Sequence, residues 1–220
     1  MSKAINKSNL LHLLSDIFMG ILFTIIAISV ALIITINFKP LFLYEINAQN
    51  LVEHSGYDRE TIIRNYDALI EYCSPFFTDA LIFPDFTASE SGLFHFEEVK
   101  VIFNTIYISG LISLLLYVSL SIFKLRQKNY SFIKTSAATA VLLPTIAAAL
   151  CAINFEKLFI RFHEIVFNND DWLFDYRTDP VILILPEEFF MHCLIMIIIL
   201  IIVFAGIMST AYHLIRKYSH

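Results

Sequence analysis

Charged side chains are absent from the central turns of the four long apolar stretches in this sequence. An ionisable residue inside a membrane span usually marks a proton relay or an ion pathway. The pattern therefore argues against a pump or a channel.

Cysteine is also scarce: Cys151 and Cys193 fall inside apolar stretches and only Cys73 falls outside them. This usage predicts no disulfide framework.

The sequence also lacks the common motifs of zinc and serine hydrolases. It has no His-Glu-x-x-His and no Cys-x-x-Cys pair, and it has no Gly-x-Ser-x-Gly elbow. The formal net charge is -5 and the basic residues flank apolar stretches, so no binding of nucleic acid is expected. No repeat or flexible linker divides residues 1–220, which we interpret as a single membrane domain.

Apolar residues dominate the sequence instead. They make up 58% of its 220 residues, more than a soluble domain usually contains. A bilayer core of about 30 Å needs roughly 20 apolar helical residues to cross it. Four stretches reach that length, at about 17–38, 101–123, 135–155 and 189–213. We therefore predict an all-α integral membrane protein with a bundle of four transmembrane helices, kinked in the third span at Pro144.

The distribution of charge predicts the orientation of the chain. Basic residues near the ends of spans remain on the cytoplasmic side. One side of the predicted bundle carries Asp16 as its only acidic residue, together with the basic residues Lys3, Lys7, Lys124, Arg126, Lys128, Lys134, Arg216 and Lys217. Every other acidic residue lies in the loops at about 39–100 and 156–188. We therefore expect both termini in the cytoplasm, and both loops outside the cell membrane as an extracellular cap.

The first outer loop is long enough to fold. Residues 58–73 place apolar side chains at helical spacing, which predicts an amphipathic helix. Thr87 and Glu90 have the spacing of a capping box, so the helix of the second span should begin outside the membrane. The cap is expected to be of mixed structure, with residues 181–185 either β-like or a short amphipathic run. Asp179-Pro180 indicates a turn or a helix start.

Two histidines beside carboxylates form the strongest chemical pattern in the outer loops. Ser91, His95 and Glu98 share one face of the second helix by their spacing, and His163 lies just beyond the third span with Glu164 beside it. Imidazole titrates near neutral pH, so it can take up and return protons in acyl transfer. A metal site built from His95, Glu97 or Glu98, His163 and Glu164 is a weaker alternative, because the ligand spacing does not favour it.

At these two segments the sequence resembles the lipoprotein intramolecular transacylases (Lit) of Gram-positive bacteria. The matching residues are Ser91, His95, Glu98, Val99 and Lys100 in the first segment, and Phe162-His163-Glu164, Phe167, Trp172-x-Phe174, Asp179-Pro180 and Leu185-Pro186-Glu187-x-Phe189-Phe190 in the second. The number and placement of the spans match too. In the family the acidic residue after the first histidine is more often Asp, so Glu98 departs from the pattern.

The resemblance implies transfer of the sn-2 acyl chain of a diacylglyceryl-cysteine lipoprotein to the α-amino group of the same cysteine. The product would be an N-acyl, S-monoacylglyceryl (lyso) lipoprotein. It implies His95 and His163 as general base and acid, in either order, with Glu98 or Glu164 orienting a ring and Ser91 supporting that face. Lipoproteins and membrane lipids would be the partners of a monomer, and no cofactor or metal would be needed.

Six further residues are candidates for contacting the substrate. Four lie in the predicted amphipathic helix and could also stabilise an oxyanion: Arg64, Asn65, Tyr66 and Tyr72. The other two are the aromatic residues Trp172 and Phe174 of the second outer loop. The aromatic pair could instead belong to an anchoring belt at the lipid headgroups. Two other functions remain open from the residues, a metal-dependent membrane hydrolase and a non-catalytic envelope or sensor protein.

Overall fold

Helices are the only regular structure in the part of the chain that the computed structural model describes, residues 7–75 and 77–218. Lys3, one of the basic residues assigned to the cytoplasmic side, lies outside these residues. The α-helices are α1 Lys7–Asn37, α2 Lys39–Ala48, α3 Leu51–Ser55, α4 Arg59–Tyr72, α5 Glu90–Arg126, α6 Ser131–Ile153, α7 Phe155–Val166 and α8 Glu187–Tyr218. A 3-10 helix occupies Pro180–Ile184.

Four of these helices, α1, α5, α6 and α8, are long and apolar enough to cross a membrane. Their number confirms the predicted all-helical membrane architecture. The helix α5 begins at Glu90, well before the apolar stretch that the sequence marks from residue 101. The helix thus starts before the apolar stretch, as the sequence predicts, and its start outside the lipid stays a prediction. Pro144 lies inside α6, and the kink expected there stays a prediction.

The described residues fall into two compact units. The first comprises those of Met1–Leu32, Ile108–Ala149 and Met196–His220. One of its two apolar clusters is built largely from small side chains, and its buried members are Ala27, Ala31, Ala140, Ile201 and Ala205. Small residues allow transmembrane helices to approach closely, which increases van der Waals contact where no hydrophobic driving force acts between them.

The first unit also contains a buried polar cluster. Lys124 of α5 donates a hydrogen bond to Asp16 of α1, and both side chains are almost fully buried. Ser131, the first residue of α6, donates from Oγ to Asp16 Oδ2 at 2.5 Å. A buried charge needs such partners, since desolvation otherwise costs several kcal/mol per ion. Three helices are thus tied at one point by a single carboxylate.

The second unit comprises Ile33–Tyr107 and Leu150–Ile195. The predicted amphipathic helix is present in it as α4. Asp58 caps this helix, because its carboxylate accepts hydrogen bonds from the backbone of Glu60 and Thr61 at 2.9 and 3.0 Å. The apolar face of α4 enters a core that also draws on α2, α5, the 3-10 helix and α8; its buried members include Phe42, Ile62, Tyr66, Leu69, Phe96, Ile184 and Phe189.

Two local expectations for this unit are wrong, the capping box and the β-like alternative for residues 181–185. Residues 181–185 do not form a strand: Pro180 fixes the first turn of a 3-10 helix, whose Val181 and Ile184 are buried in the core. The capping box is also not formed. Ser89 caps α5 by accepting a hydrogen bond from the backbone of Gly92 at 3.0 Å, while Thr87 Oγ1 donates to the carbonyl of Thr178.

A buried carboxylate to which the sequence gave no role lies in α2. Glu45 is fully buried, and its Oε1 is 2.6 Å from Nδ1 of His192 in α8. Gln49 Nε2 donates to its other oxygen at 3.3 Å. The hydrogen bonds compensate part of the cost of burying the acid and link α2 to the start of α8.

We predict that Gly110→Ala destabilises the protein. A Cβ built at Gly110 of α5 would lie 2.3 Å from Oγ of Ser29 in α1, so two helix backbones would have to move apart. Overpacking of this kind costs about 1–3 kcal/mol. Thermal unfolding of the purified protein in detergent measures the effect.

Gly206→Ala is the matched control. Apart from its chain neighbours and the nearby backbone of its own helix, no described residue has an atom within 4 Å of a Cβ built at Gly206, so this variant should unfold at or slightly above the wild-type temperature. Equal unfolding temperatures for the two variants would contradict the close helix contact.

Candidate active site

The two histidines singled out from the sequence lie side by side in the second unit. His95 is in the second turn of α5 and His163 is in the last turns of α7. Their ring centroids are 5.9 Å apart. The position of His163 depends on Asn154, which ends α6 and caps α7 by accepting a hydrogen bond from the backbone of Lys157. The break at Asn154 therefore turns the chain into a new helix that carries His163.

Aromatic rings surround both imidazoles. Phe167 lies against both, with centroid distances of 4.6 Å to His95 and 5.5 Å to His163. Phe174 contacts His95 at 5.5 Å, and the ring centroids of Phe159 and Trp172 lie 4.2 and 4.8 Å from that of His163. These rings close His95 off from solvent, whereas His163 is half-buried. We call these four rings, Phe159, Phe167, Trp172 and Phe174, the aromatic cluster.

A hydrogen bond to the backbone determines which tautomer the neutral ring of His163 adopts. Its Nδ1 is 2.7 Å from the carbonyl oxygen of Phe159. A carbonyl can only accept, so Nδ1 carries the hydrogen and Nε2 is left with the lone pair. Burial lowers the pKa of His163 below its ordinary value, against the smaller opposing effect of that backbone hydrogen bond. His163 is therefore a neutral imidazole at neutral pH, with a basic Nε2.

His95 is more deeply buried than His163. His95 is only 5% exposed, and Nδ1 of its ring has no hydrogen-bond partner among the described residues. An unpaired buried polar atom typically costs 1–3 kcal/mol. Such an atom calls for an explanation, and a catalytic role is one of those known.

Asp179 fixes the start of α5 and thereby the helix that carries His95. Its buried carboxylate accepts hydrogen bonds at Oδ1 from the backbone N–H and the hydroxyl of Ser89, at 2.8 and 3.0 Å. Thr178 Oγ1 donates to Oδ2 at 2.6 Å. A Cβ at Gly92 would lie 2.3 Å from Asp179 Oδ1, so this close approach requires glycine. The Asp179-Pro180 turn predicted from the sequence thus anchors α5.

The predicted supporting residues have other partners. Both oxygens of Glu98 accept from Asn169 Nδ2 at 3.1 Å, and Glu164 forms an ion pair with Arg161 at 2.6 Å on the exposed side of α7. Ser91 is exposed, with its Oγ 3.0 Å from Oγ of Ser89. Among the described residues, neither carboxylate forms a hydrogen bond or ion pair with an imidazole ring.

The polar candidates of α4 are also engaged within the second unit. Arg64 and Asn65 both bind Asp85: Arg64 forms an ion pair at 3.0 Å, and Asn65 Nδ2 donates at 2.8 Å. The guanidinium of Arg64 lowers the pKa of Asp85. Asn65 is fully buried, and its Oδ1 accepts from the backbone of Asp85 and Phe86. This pair fixes the loop that precedes α5.

The two tyrosines of α4 have ring partners of their own. Tyr66 is stacked on Phe42 with centroids 3.6 Å apart. The ring of Tyr72 lies 4.0 Å from the ammonium of Lys100, a cation–π contact. All four α4 candidates thus contact other residues of the second unit, and none of these contacts is with His95 or His163. Of the six predicted substrate contacts, the structure brings Trp172 and Phe174 to the histidines.

Sequence reasoning did not single out Phe159 or Asn169. Phe159 and Phe167 stand four residues before and after His163, a spacing that places side chains on one side of a helix. This spacing could have indicated that both rings lie near the imidazole. Asn169 had no such signal, because its contact with Glu98 spans 71 residues.

In the part of the chain that the structure describes, no group of three or more His, Cys, Asp or Glu residues is placed to hold a metal ion. The alternative metal ligand set is thus not assembled.

The four apolar helices define an integral membrane protein, and its second unit holds a pair of adjacent histidines. The family model described as lipoprotein intramolecular transacylase Lit matches residues 17–190. The chain belongs to this family. It is therefore an acyltransferase of lipoprotein maturation.

Solved structures agree with this assignment. An in meso structure of the membrane integral lipoprotein intramolecular transacylase Lit from Bacillus cereus is similar, with 32% identity and a TM-score of 0.91, covering 94% of this chain and 96% of that chain. Structures of two variants of the Bacillus cereus protein, with a histidine replaced by arginine or by alanine, each match at 32% identity and a TM-score of 0.86. They cover 94% of this chain and 92% or 94% of the other. No curated protein matches the sequence.

We predict that Asp179→Ala destabilises the protein by about 2 kcal/mol, because it removes a buried carboxylate and the hydrogen bonds that Ser89 and Thr178 donate to it. Thermal unfolding in detergent measures the loss. Asp175→Ala is the control: its carboxylate pairs with Arg177 at the surface, and exposed ion pairs contribute little. A wild-type unfolding temperature for Asp179→Ala would contradict the anchoring of α5 by Asp179.

Proposed function

We propose that the protein moves the sn-2 acyl chain of a diacylglyceryl-cysteine lipoprotein onto the α-amino group of the same cysteine. The product is an N-acyl, S-monoacylglyceryl lipoprotein. The observation that carries the proposal is the 5.9 Å separation of His95 and His163 within the aromatic cluster, in a chain that belongs to the Lit family. Two imidazoles at this distance can serve one reacting centre.

The site faces the outside of the cell membrane in this proposal, and both termini face the cytoplasm. The support is the concentration of basic residues at one end of the predicted bundle and of acidic residues in the two loops. The substrate is anchored by its acyl chains, so its ester and amine would lie near the lipid headgroups. Acidic loops are compatible with a substrate whose reacting amine is a cation.

The proposed chemistry conserves every proton. The α-ammonium first loses a proton to an imidazole, and the free amine attacks the ester carbonyl carbon. The tetrahedral intermediate then collapses as the bond to the sn-2 oxygen breaks and an amide forms. Of the two protons that the nitrogen loses, one passes to the departing glycerol oxygen and the other leaves to solvent. His163 Nε2 is the proposed base that takes the first proton and returns it to solvent. His95 takes the second proton from the nitrogen of the tetrahedral intermediate and passes it to the glycerol oxygen.

Tethering of donor and acceptor in one molecule supplies much of the rate. Well-oriented intramolecular reactions gain about 7–11 kcal/mol over their bimolecular counterparts. Exchange of an ester for an amide is downhill, so we propose that no cofactor takes part. Both histidines belong to one chain, which is compatible with a monomer surrounded by membrane lipids.

We predict that His95→Ala and His163→Ala each reduce formation of the lyso product by about 10²–10⁴-fold, the usual contribution of general acid–base groups. The enzyme is expressed in a host that lacks N-acylation of lipoproteins. Mass spectrometry of a lipoprotein's N-terminal peptide then measures the product.

His54→Ala is the control, since His54 is an exposed residue of α3. All variants must be shown to reach the membrane. Wild-type product from either site variant would refute the proposed roles, and release of free fatty acid by the wild type would indicate hydrolysis instead of transfer.

We also predict an acid limb of the rate below pH 6.5. Burial lowers the pKa of His163, so the neutral, basic form persists to lower pH than in a free imidazole, and activity falls as pH drops through that pKa. Phe159→Ala admits water to the ring and should move the limb upward. Initial rates against pH measure both. A wild-type limb above pH 6.5 would contradict this account.

A further inference from the structure

One side-chain pair joins α5 to the turn that follows α7. The amide nitrogen of Asn169 donates to both carboxylate oxygens of Glu98, at 3.1 Å each. Glu98 is three residues after His95, on the same helix. Hydrogen bonds to an ionised acceptor are about twice as strong as those between neutral groups. The contact therefore holds the turn at residues 167–172 close to the helix that carries His95.

Asn169 also organises the turn itself. Its side-chain oxygen accepts from the backbone N–H of Asp171 at 3.0 Å, and its backbone carbonyl accepts from the indole Nε1 of Trp172 at 3.2 Å. Trp172 in turn lies over the ring of His163. A single asparagine thus links the carboxylate of Glu98 to the ring that covers one histidine.

The turn begins with the ring that contacts both histidines. Phe167 is buried and directly follows the last residue of α7. Its centroid is 4.6 Å from that of His95. If the turn moved away from α5, both Phe167 and Trp172 would be displaced from the imidazoles. Water would then reach a site in which proton transfers depend on an apolar environment.

We propose that Asn169 and Glu98 are positioning residues, which together hold Phe167 and Trp172 against the two histidines and keep water from the reacting groups. The inference rests on the proposed function for its catalytic consequence. It gives Glu98 a different task from the one the family resemblance implies, since its carboxylate acts on the turn and not on an imidazole.

Trp172 offers a direct readout because it is the only tryptophan of the chain. Its fluorescence in purified protein reports the polarity around the indole without interference from other tryptophans. Asn169→Ala should shift the emission to longer wavelength and lower kcat about tenfold or more, with a smaller change in KM. The loss falls on kcat because the variant disturbs the reacting groups. Asn168→Ala is the matched control, since it removes the same side chain from the neighbouring exposed position.

Variants of Glu98 test the other half of the pair. Glu98→Gln keeps an oxygen that can accept from Asn169, so it should retain most of the wild-type emission and part of the activity. Glu98→Leu should reproduce the effects of Asn169→Ala. Because the two residues act through one contact, the double variant should lose little more than either single variant.

Two results would overturn the proposal. One is wild-type emission and kcat for Asn169→Ala. The other is a loss in Glu98→Leu that adds in full to that of Asn169→Ala, which would mean that the residues act independently. The fluorescence measurement does not depend on the reaction. A wild-type enzyme that forms no lyso product would therefore refute the proposed function, while the emission shifts would still test the contact.

Discussion

The approach of His163 in α7, and of the turn after α7, to the first turns of α5 is the contact on which the site depends. It brings His95 and His163 within 5.9 Å of each other and surrounds them with the aromatic cluster. The short helix α7 has no buried residue. The ring contacts of His163, such as the one with Phe167, therefore fix its position. The tertiary contact supplies both the proximity of the imidazoles and the apolar environment that keeps His163 neutral.

Polar anchors around this contact compensate for the exposed character of α7. Asp179 fixes the N-terminus of α5 through Ser89, and Glu98 fixes the turn after α7 through Asn169. Each is a carboxylate that accepts hydrogen bonds from a segment distant in the sequence. An apolar cluster alone is not directional, whereas these hydrogen bonds specify which face of each helix meets the other.

The sequence predicted those features that depend on local pattern. Four apolar stretches indicated four membrane helices, and the spacing of residues 58–73 indicated α4. The two histidine segments could be recognised as a pair. The partners of Glu98, Glu164 and Arg64 could not, because a side chain pairs with whatever tertiary packing brings near it. The same holds for Glu45, whose histidine partner is 147 residues away. Asp179-Pro180 indicated a turn or a helix start, but the structure of residues 181–185 stayed undecided, because a short apolar run fits several backbone conformations.

The central claim is that acyl donor and acceptor belong to one lipoprotein molecule, held at a pair of histidines. A crossover experiment tests it most directly. Two lipoproteins of different peptide sequence, one with deuterated acyl chains, are mixed with the enzyme, and the N-acylated peptides are analysed by mass spectrometry. The account predicts that each peptide retains its own acyl label. Exchange of labels between the two peptides would contradict it.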